Sequence, residues 1–236
     1  MKQKGISLIE SLLALTFFLV IILASFEFFG TTRKVFFKLQ GAQMAQESAM
    51  AALDKIRTDV HKAGQGLIEP INLGAVSGIE SADGALIVMS AEKNSVLLAD
   101  AQAGQTTLSL EDAGGFTAGK TVCLFDKNKG EALKIVSVSG QSVTLASPLS
   151  LNYAKEESVV LLLYIVTFYL DAEKSTLRRK VNAGTPQPLL ENVQYFASGY
   201  DAGANLTTVG LRLTSGSEKI HEITVFPKNM ALARSR

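Results

Sequence analysis

The sequence predicts an α+β protein: a long N-terminal α-helix, membrane-spanning in its first half, packed on an antiparallel β-sheet with a small inserted β-rich module. Three observations predict it. The N-terminus holds an almost unbroken apolar run, "ISLIESLLALTFFLVIILASFEFF", from Ile6 to Phe29. No proline occurs before Pro70, so nothing there interrupts a helix. Beyond Pro70 the apolar spacing changes from three-and-four to two, the period of strands.

The bulk composition narrows the function classes. The chain has 236 residues, enough for one ordinary domain or two small ones. Its 23 basic and 22 acidic side chains give a net charge of +1, so the balance by itself predicts neither a nucleic-acid partner nor a polybasic membrane patch. A single cysteine, Cys123, rules out an internal disulfide. It lies in "TVCLF", an alternating strand-like run, where a buried inert thiol is expected. The only histidines, His61 and His221, are far apart in sequence, so no metal site or cofactor is expected. There is no G-x-S-x-G, P-loop or zinc spacing, and no enzyme is expected.

The N-terminal segment is read first as physics. The 24 residues from Ile6 to Phe29 would form a helix of about 36 Å, enough to cross a hydrocarbon core of about 30 Å. Lys2 and Lys4 precede the run, which places the first residues in the cytoplasm and the rest outside. Arg33, Lys34 and Lys38 follow it, within a long exported part where charge counts for less. Within the run only Glu10 and Glu27 are charged. Glu27 can sit hydrated at the bilayer edge. Glu10 is harder to place, because a carboxylate inside a bilayer costs about 2.5–3.5 kcal/mol even on lenient insertion scales.

Three readings compete for this segment. A conventional secretory signal would be cut after the run, near "ILAS", but there is no clear A-x-A site and the core is long. A plain single-pass anchor leaves Glu10 without a role. A signal cut before the run, after Gly5, leaves the apolar helix on the mature chain with Glu10 as its fifth residue.

"KGISLIE", followed by a long stretch without charge, resembles the class III signal of type IV prepilins and pseudopilins. The resemblance implies a leader of residues 1–5, cleavage by prepilin peptidase between Gly5 and Ile6, N-methylation at Ile6, and an assembly role for Glu10. Ile6 stands where the family usually has Phe or Met. Cleavage would create an ammonium at Ile6 that can serve as counterion to Glu10. Two charges desolvated together are far less costly than either alone, so the Glu10 of an incoming subunit could pair with a neighbour's amine and set axial register. Pairing with its own amine is the alternative.

Helical signals continue past Phe29. Leu39, Ala42, Gln46, Ala49, Leu53, Ile56 and Val60 form a stripe at spacings of three and four, expected to bury against the protein's own sheet. Gly64 and Gly66, following His61 and Lys62, read as a glycine stop after a basic last turn. His61 is expected to be a surface residue complementing the helix dipole. One helix from about 6 to about 63 would extend about 87 Å, with Gly30 and Gly41 as possible bends. The expected organisation is a filament-core helix over 6–29, its amphipathic continuation over 30–66, and a periplasmic β-rich region over 67–236.

Strand-like runs follow: "GALIVMSA", "SVLLAD", "TTLSLED", "KTVCLFD" and "EALKIVSVSGQSVTLASPL", the last with a two-residue hairpin placed at Ser139-Gly140. "SVVLLLYIVTFYL" is too short for a transmembrane helix and reads as one long strand buried on both faces, or as two joined by a bend. "FYLDAEKSTLRRKV" reads as a hairpin; "LRRK" at 177–180 could face an acidic partner, but basic residues that alternate in exposure are the expectation. "PLLENVQYFASGYD", "TVGLRLTS" and "HEITVFP" complete the sheet. Residues about 90–158 read as the inserted module. Within it, "DKNKGE" from Asp126 lacks the glycine and distal glutamate of a calcium loop and reads as a turn. Glu111-Asp112 and Glu156-Glu157 read as solvated pairs.

"MAALDKIRTDVHKAGQG", "YLDAEKSTLRRKV…PLLENVQYFASGY", "VGLRLT" and "ITVFPKN" together resemble PilW-like minor pilins, over about 1–70 and 160–230. The implied function is that of a minor pilin of a type IV pilus, which primes or caps the filament. The implied partners are prepilin peptidase, other minor and major pilins, the pilus assembly platform and the inner membrane, with the C-terminal region in the periplasm and later in the pilus. A J-type pseudopilin of type II secretion and a membrane-anchored adhesin using the 90–158 insert are the rival readings.

Overall fold

The computed structural model describes residues 8–214 and 220–234. It divides into an N-terminal unit, residues 1–47, and a C-terminal unit, residues 48–236. Helix α1 (Leu8–Val60) begins in the first and ends in the second. Gly30 and Gly41 lie inside it as ordinary helical positions.

In the C-terminal unit the stripe is buried from Ala49 onward, through Ala52, Leu53, Ile56 and Val60. The expectation that it buries from Leu39 is corrected: Leu39, Ala42 and Gln46 are exposed. Asp59 lies among the buried residues, 3% exposed, although charged side chains are rarely so enclosed without a partner. The helix ends in turns stabilised by Gly64 and Gly66, both at positive φ (73° and 72°). The Gly64 N–H then donates to Met89 O and the Ala91 N–H to Gln65 O, which fastens the exit segment to the sheet.

Short helix α2 (Ile68–Asn72) follows. The strands are β1 (Ile79–Ala82), β2 (Ala85–Val96), β3 (Thr107–Ser109), β4 (Thr121–Phe125), β5 (Gly130–Ser139) and β6 (Ser142–Leu145). Next come β7 (Val159–Asp171), β8 (Thr176–Val181), β9 (Gln187–Leu190), β10 (Val193–Asp201), β11 (Leu206–Leu213) and β12 (His221–Val225), and then α3 (Lys228–Arg234). All pairings between these strands are antiparallel. Most of "GALIVMSA" runs on as one strand, β2, which has a bulge between Ala91 and Lys93 and takes in only Ser95 and Val96 of "SVLLAD". The hairpin loop between β5 and β6 is Gly140-Gln141, one residue later than expected, because Ser139 pairs with Ser142 and glycine takes the φ of 58°.

Strand β7 organises the larger sheet, whose order is β1-β2-β7-β4-β5-β6-β3. One edge of β7 pairs with β2 from Val159 to Tyr169. The other edge pairs first with β4, at Val159–Leu162, and then with β8, from Val166 to Asp171. At the change of partner, Asn182 donates its N–H to Ile165 O and accepts the Ile165 N–H on Oδ1 (2.7 and 2.8 Å). A side chain thus completes the ladder where no strand reaches, which avoids an unpaired backbone group. Both faces of β7 are covered, Val160 and Leu162 by one cluster and Leu161 and Leu163 by another, so Val160–Leu163 are all buried and all apolar.

Two principal cores result. The α1 face from Ala49 to Val60 packs with Ile79, Leu86, Val166, Phe168 and Leu177 of the large sheet, with Phe196, Val209, Leu211 and Val225 of the β10-β11-β12 sheet, and with Met230 of α3. A second core gathers Leu97, Leu108, Leu110, Phe116, Leu124, Ile135, Val143 and Tyr153 around Val160 and Leu162. A smaller cluster joins Leu67 with Cys123, Phe125, Leu161 and Leu163.

Candidate functional site

Gly5 and Ile6, the expected processing residues, lie outside the described residues. Glu10 is in the first turn of α1, exposed, where the helix N-terminus favours a negative charge. Around it the helix surface is apolar and uncovered: Leu8, Leu12, Leu15, Phe17, Phe26 and Phe29 are each more than half exposed. A continuous surface of this kind marks a site for lipid or another protein. Two hydroxyls on this stretch are satisfied internally, Thr16 donating to Leu12 O and Ser25 to Ile21 O, at 2.8 and 2.7 Å. That back-bonding lets them enter an apolar phase without an open donor. Among the described residues α1 is the one helix long and apolar enough to cross a membrane, with mean hydropathy 2.5 in its most apolar window.

In the C-terminal unit, Asp59 accepts from Arg179 Nε at 2.8 Å and from Lys55 Nζ at 3.3 Å. Arg179 also donates to the Tyr164 hydroxyl at 3.4 Å. Burial works against the Arg179 charge, and Asp59 and Tyr164 more than offset it, so its pKa rises above the ordinary arginine value. The expectation for "LRRK" is corrected here. Arg178 turns to Asp171 at 2.7 Å and Arg179 turns inward to α1, so neither is a free surface cation. One sequence signal points to this pair. Asp59 sits beside Val60 and three residues after Ile56, on an otherwise apolar face, and such an acid demands a partner.

The remaining polar positions are turn chemistry. Asp126 Oδ1 accepts the N–H groups of Asn128 and Lys129. Burial raises its pKa, but those N–H groups and the Lys129 ammonium outweigh it and hold the carboxyl below its ordinary value. Among the described residues no set of His, Cys, Asp and Glu is arranged to hold a metal ion. Cys123 is buried on β4, and burial pushes its thiol up to about 12. Glu111, Asp112, Glu156 and Glu157 are exposed, with Asp112 paired to Lys93. His61 is exposed beyond the helix end, its carbonyl accepting from Asn229 Nδ2.

No family model matches this chain. No curated protein matches it. Among solved structures it has partial likeness to the tailspike of Acinetobacter baumannii bacteriophage AP22, in complex with capsular saccharide: 22% identity and TM-score 0.29 over 33% of this chain and 15% of that one. The Pseudomonas phage phi297 tailspike gives 23% identity and TM-score 0.28 over 31% and 14%. The Pseudomonas phage LKA1 tailspike gives 20% and 0.25 over 30% and 14%. The chain therefore spans about one seventh of the tailspikes it matches, and likeness at these scores carries no argument about function.

Proposed function

We propose that this chain is a minor pilin, held in the inner membrane by α1, processed after Gly5 and assembled with other pilins to prime or cap a type IV pilus. One observation supports it above the others. The helix from Leu8 to Phe29 is exposed on all sides, and Glu10 is the one acid within its first four turns. A helix apolar all round needs lipid or a bundle of other helices to cover it. An acid carried into a bundle of apolar helices is held there most cheaply by a cation at the same depth. An ammonium at Ile6 of a neighbouring subunit supplies one, and the pair fixes how far one helix slides along the next. Replacing Glu10 with Ala in the native host tests this: the variant should be cleaved and remain in the membrane but fail to assemble. Normal assembly of the variant contradicts the pairing. Copurification with pilus rather than secretion components separates a minor pilin from a J-type pseudopilin.

A second reading has its own observation. The residues between β2 and β7 build a hydrophobic core with only Val160 and Leu162 contributed from β7. A module with its own core can carry binding while the rest of the chain anchors it. Replacing residues 97–158 with a short linker favours an adhesin if assembly persists while surface attachment is lost.

A further inference from the structure

Three cations follow the apolar part of α1. Arg33, Lys34 and Lys38 are exposed, and none takes part in an ion pair among the described residues. The helical repeat puts Phe26, Phe29, Phe36 and Phe37 on one side of this stretch and Lys34 and Lys38 on the other. Arg33 belongs to the aromatic side, its guanidinium 5.5 Å from the Phe37 ring centroid. That contact keeps the cation on the flank of the helix rather than free in solution. Positive charge is therefore presented on both sides of α1.

Their height along the helix matters. No charge occurs between Glu10 and Glu27, so Glu27 marks the outer end of the charge-free run. Arg33 and Lys34 come six and seven residues later, a rise of about 9–10 Å, and Lys38 about 16 Å beyond Glu27. A headgroup layer is about 5–8 Å deep on each side of the hydrocarbon core. Side chains on an α-helix lean toward its N-terminus, which here is toward the bilayer. The long stems of Arg and Lys extend that reach, and phenylalanines beside them favour the boundary between acyl chains and headgroups. Helix tilt of about 20° brings the more distant Lys38 nearer the surface.

We infer that Arg33, Lys34 and Lys38, with the Phe28-Phe29 and Phe36-Phe37 pairs, form a collar that binds the phosphates of anionic phospholipids on the outer surface of the membrane crossed by α1. The inference rests on the membrane-anchored reading of α1. The collar fixes the depth of the helix and retains anionic lipid around the subunit before assembly. Zwitterionic lipids carry the same phosphate with a compensating amine, so net headgroup charge is what distinguishes the two.

The test uses the full-length chain in bilayers of equal phosphatidylglycerol and phosphatidylcholine, released for native mass spectrometry of the lipids it retains. The wild type is expected to retain phosphatidylglycerol with a preference of about tenfold. The R33Q/K34Q/K38Q variant should show nearly equal retention, with an unchanged thermal melt of the C-terminal unit. Equal retention by the wild type, or a preference that survives in the triple variant, overturns the collar. If the triple variant loses assembly but neither protein selects anionic lipid, the cations serve carboxylates of partner subunits instead. Alkaline carbonate extraction separates the two claims. Protein released into the soluble fraction defeats the membrane reading and the collar with it, whereas integral protein without lipid preference defeats the collar alone.

Discussion

The guanidinium of Arg179 meets the carboxylate of Asp59 at 2.8 Å, tying strand β8 to the last turn of α1. The two residues are 120 positions apart. Asp59 is 3% exposed, so its charge has lost nearly all its water and depends on Arg179 and Lys55. Replacing a buried pair with well-packed apolar groups can be neutral, but removing one partner leaves an uncompensated charge. Arg179→Ala leaves Asp59 only the more exposed Lys55, and should destabilise the C-terminal unit by about 3 kcal/mol, the lower end for a broken buried pair. Adding Asp59→Ala should recover part of that loss. Thermal melts of the detergent-solubilised chain in a double-mutant cycle check it, and strictly additive losses contradict the coupling.

Leu53 and Ile56 are 1% and 0% exposed and bring α1 into contact with both sheets. Truncation leaves a cavity the surrounding strands cannot close, so Leu53→Ala should cost about 2–5 kcal/mol. Leu39→Ala, on the same stripe but exposed, should change the melt of the C-terminal unit by less than about 0.5 kcal/mol. Denaturant titration of the two variants distinguishes them.

Glycines on the chain divide by environment. At Gly66 the backbone has φ of 72° and a Cβ would come within 2.8 Å of the Ala91 Cβ, so Gly66→Ala combines backbone strain with a clash. Gly30 and Gly41 have helical backbone and open space around them. Alanine there should strengthen the helix by about 1 kcal/mol per site. Hydrogen exchange along α1 should slow in G30A and G41A, and the melt of G66A should fall.

Much of this was legible in the sequence, and the failures have physical causes. The glycine stop at Gly64 and Gly66, the double burial of Val160–Leu163 and the inward thiol of Cys123 follow from local pattern alone. The stripe begins at Leu39 but is buried only from Ala49, because periodicity reports which residues share a face, not how far along the helix a cover extends. β1 and α2 leave no pattern in the sequence because they are only four and five residues long, below the length at which period is measurable. The inward turn of Arg179 could not be read from "LRRK", since alternation along β8 does not reveal that an acid waits on the opposite element. Glu10 stands out because a charge deep in a greasy run, rather than at its edge like Glu27, violates the local rule, and such violations gather at functional positions.

Acid should weaken the C-terminal unit through its bonded carboxylates. The hydrogen bond from Arg178 holds Asp171 below its ordinary value of 3.8, with burial opposing and the Lys174 N–H assisting. A carboxyl depressed in the folded state adds stability that is complete above the unfolded pKa and lost as pH falls through the folded one. Asp171→Asn should thus be less stable than the wild type at pH 6, and the gap should narrow as pH drops below about 4. Melting temperatures of both proteins across that range check the sign; a gap that widens in acid contradicts it.

The processed N-terminus tests the central claim most directly. Intact mass and N-terminal sequence of the protein from its native host should show a chain that begins at Ile6, lacks residues 1–5 and carries one methyl group on its amine. A chain that begins anywhere else contradicts cleavage after Gly5 and with it the filament reading.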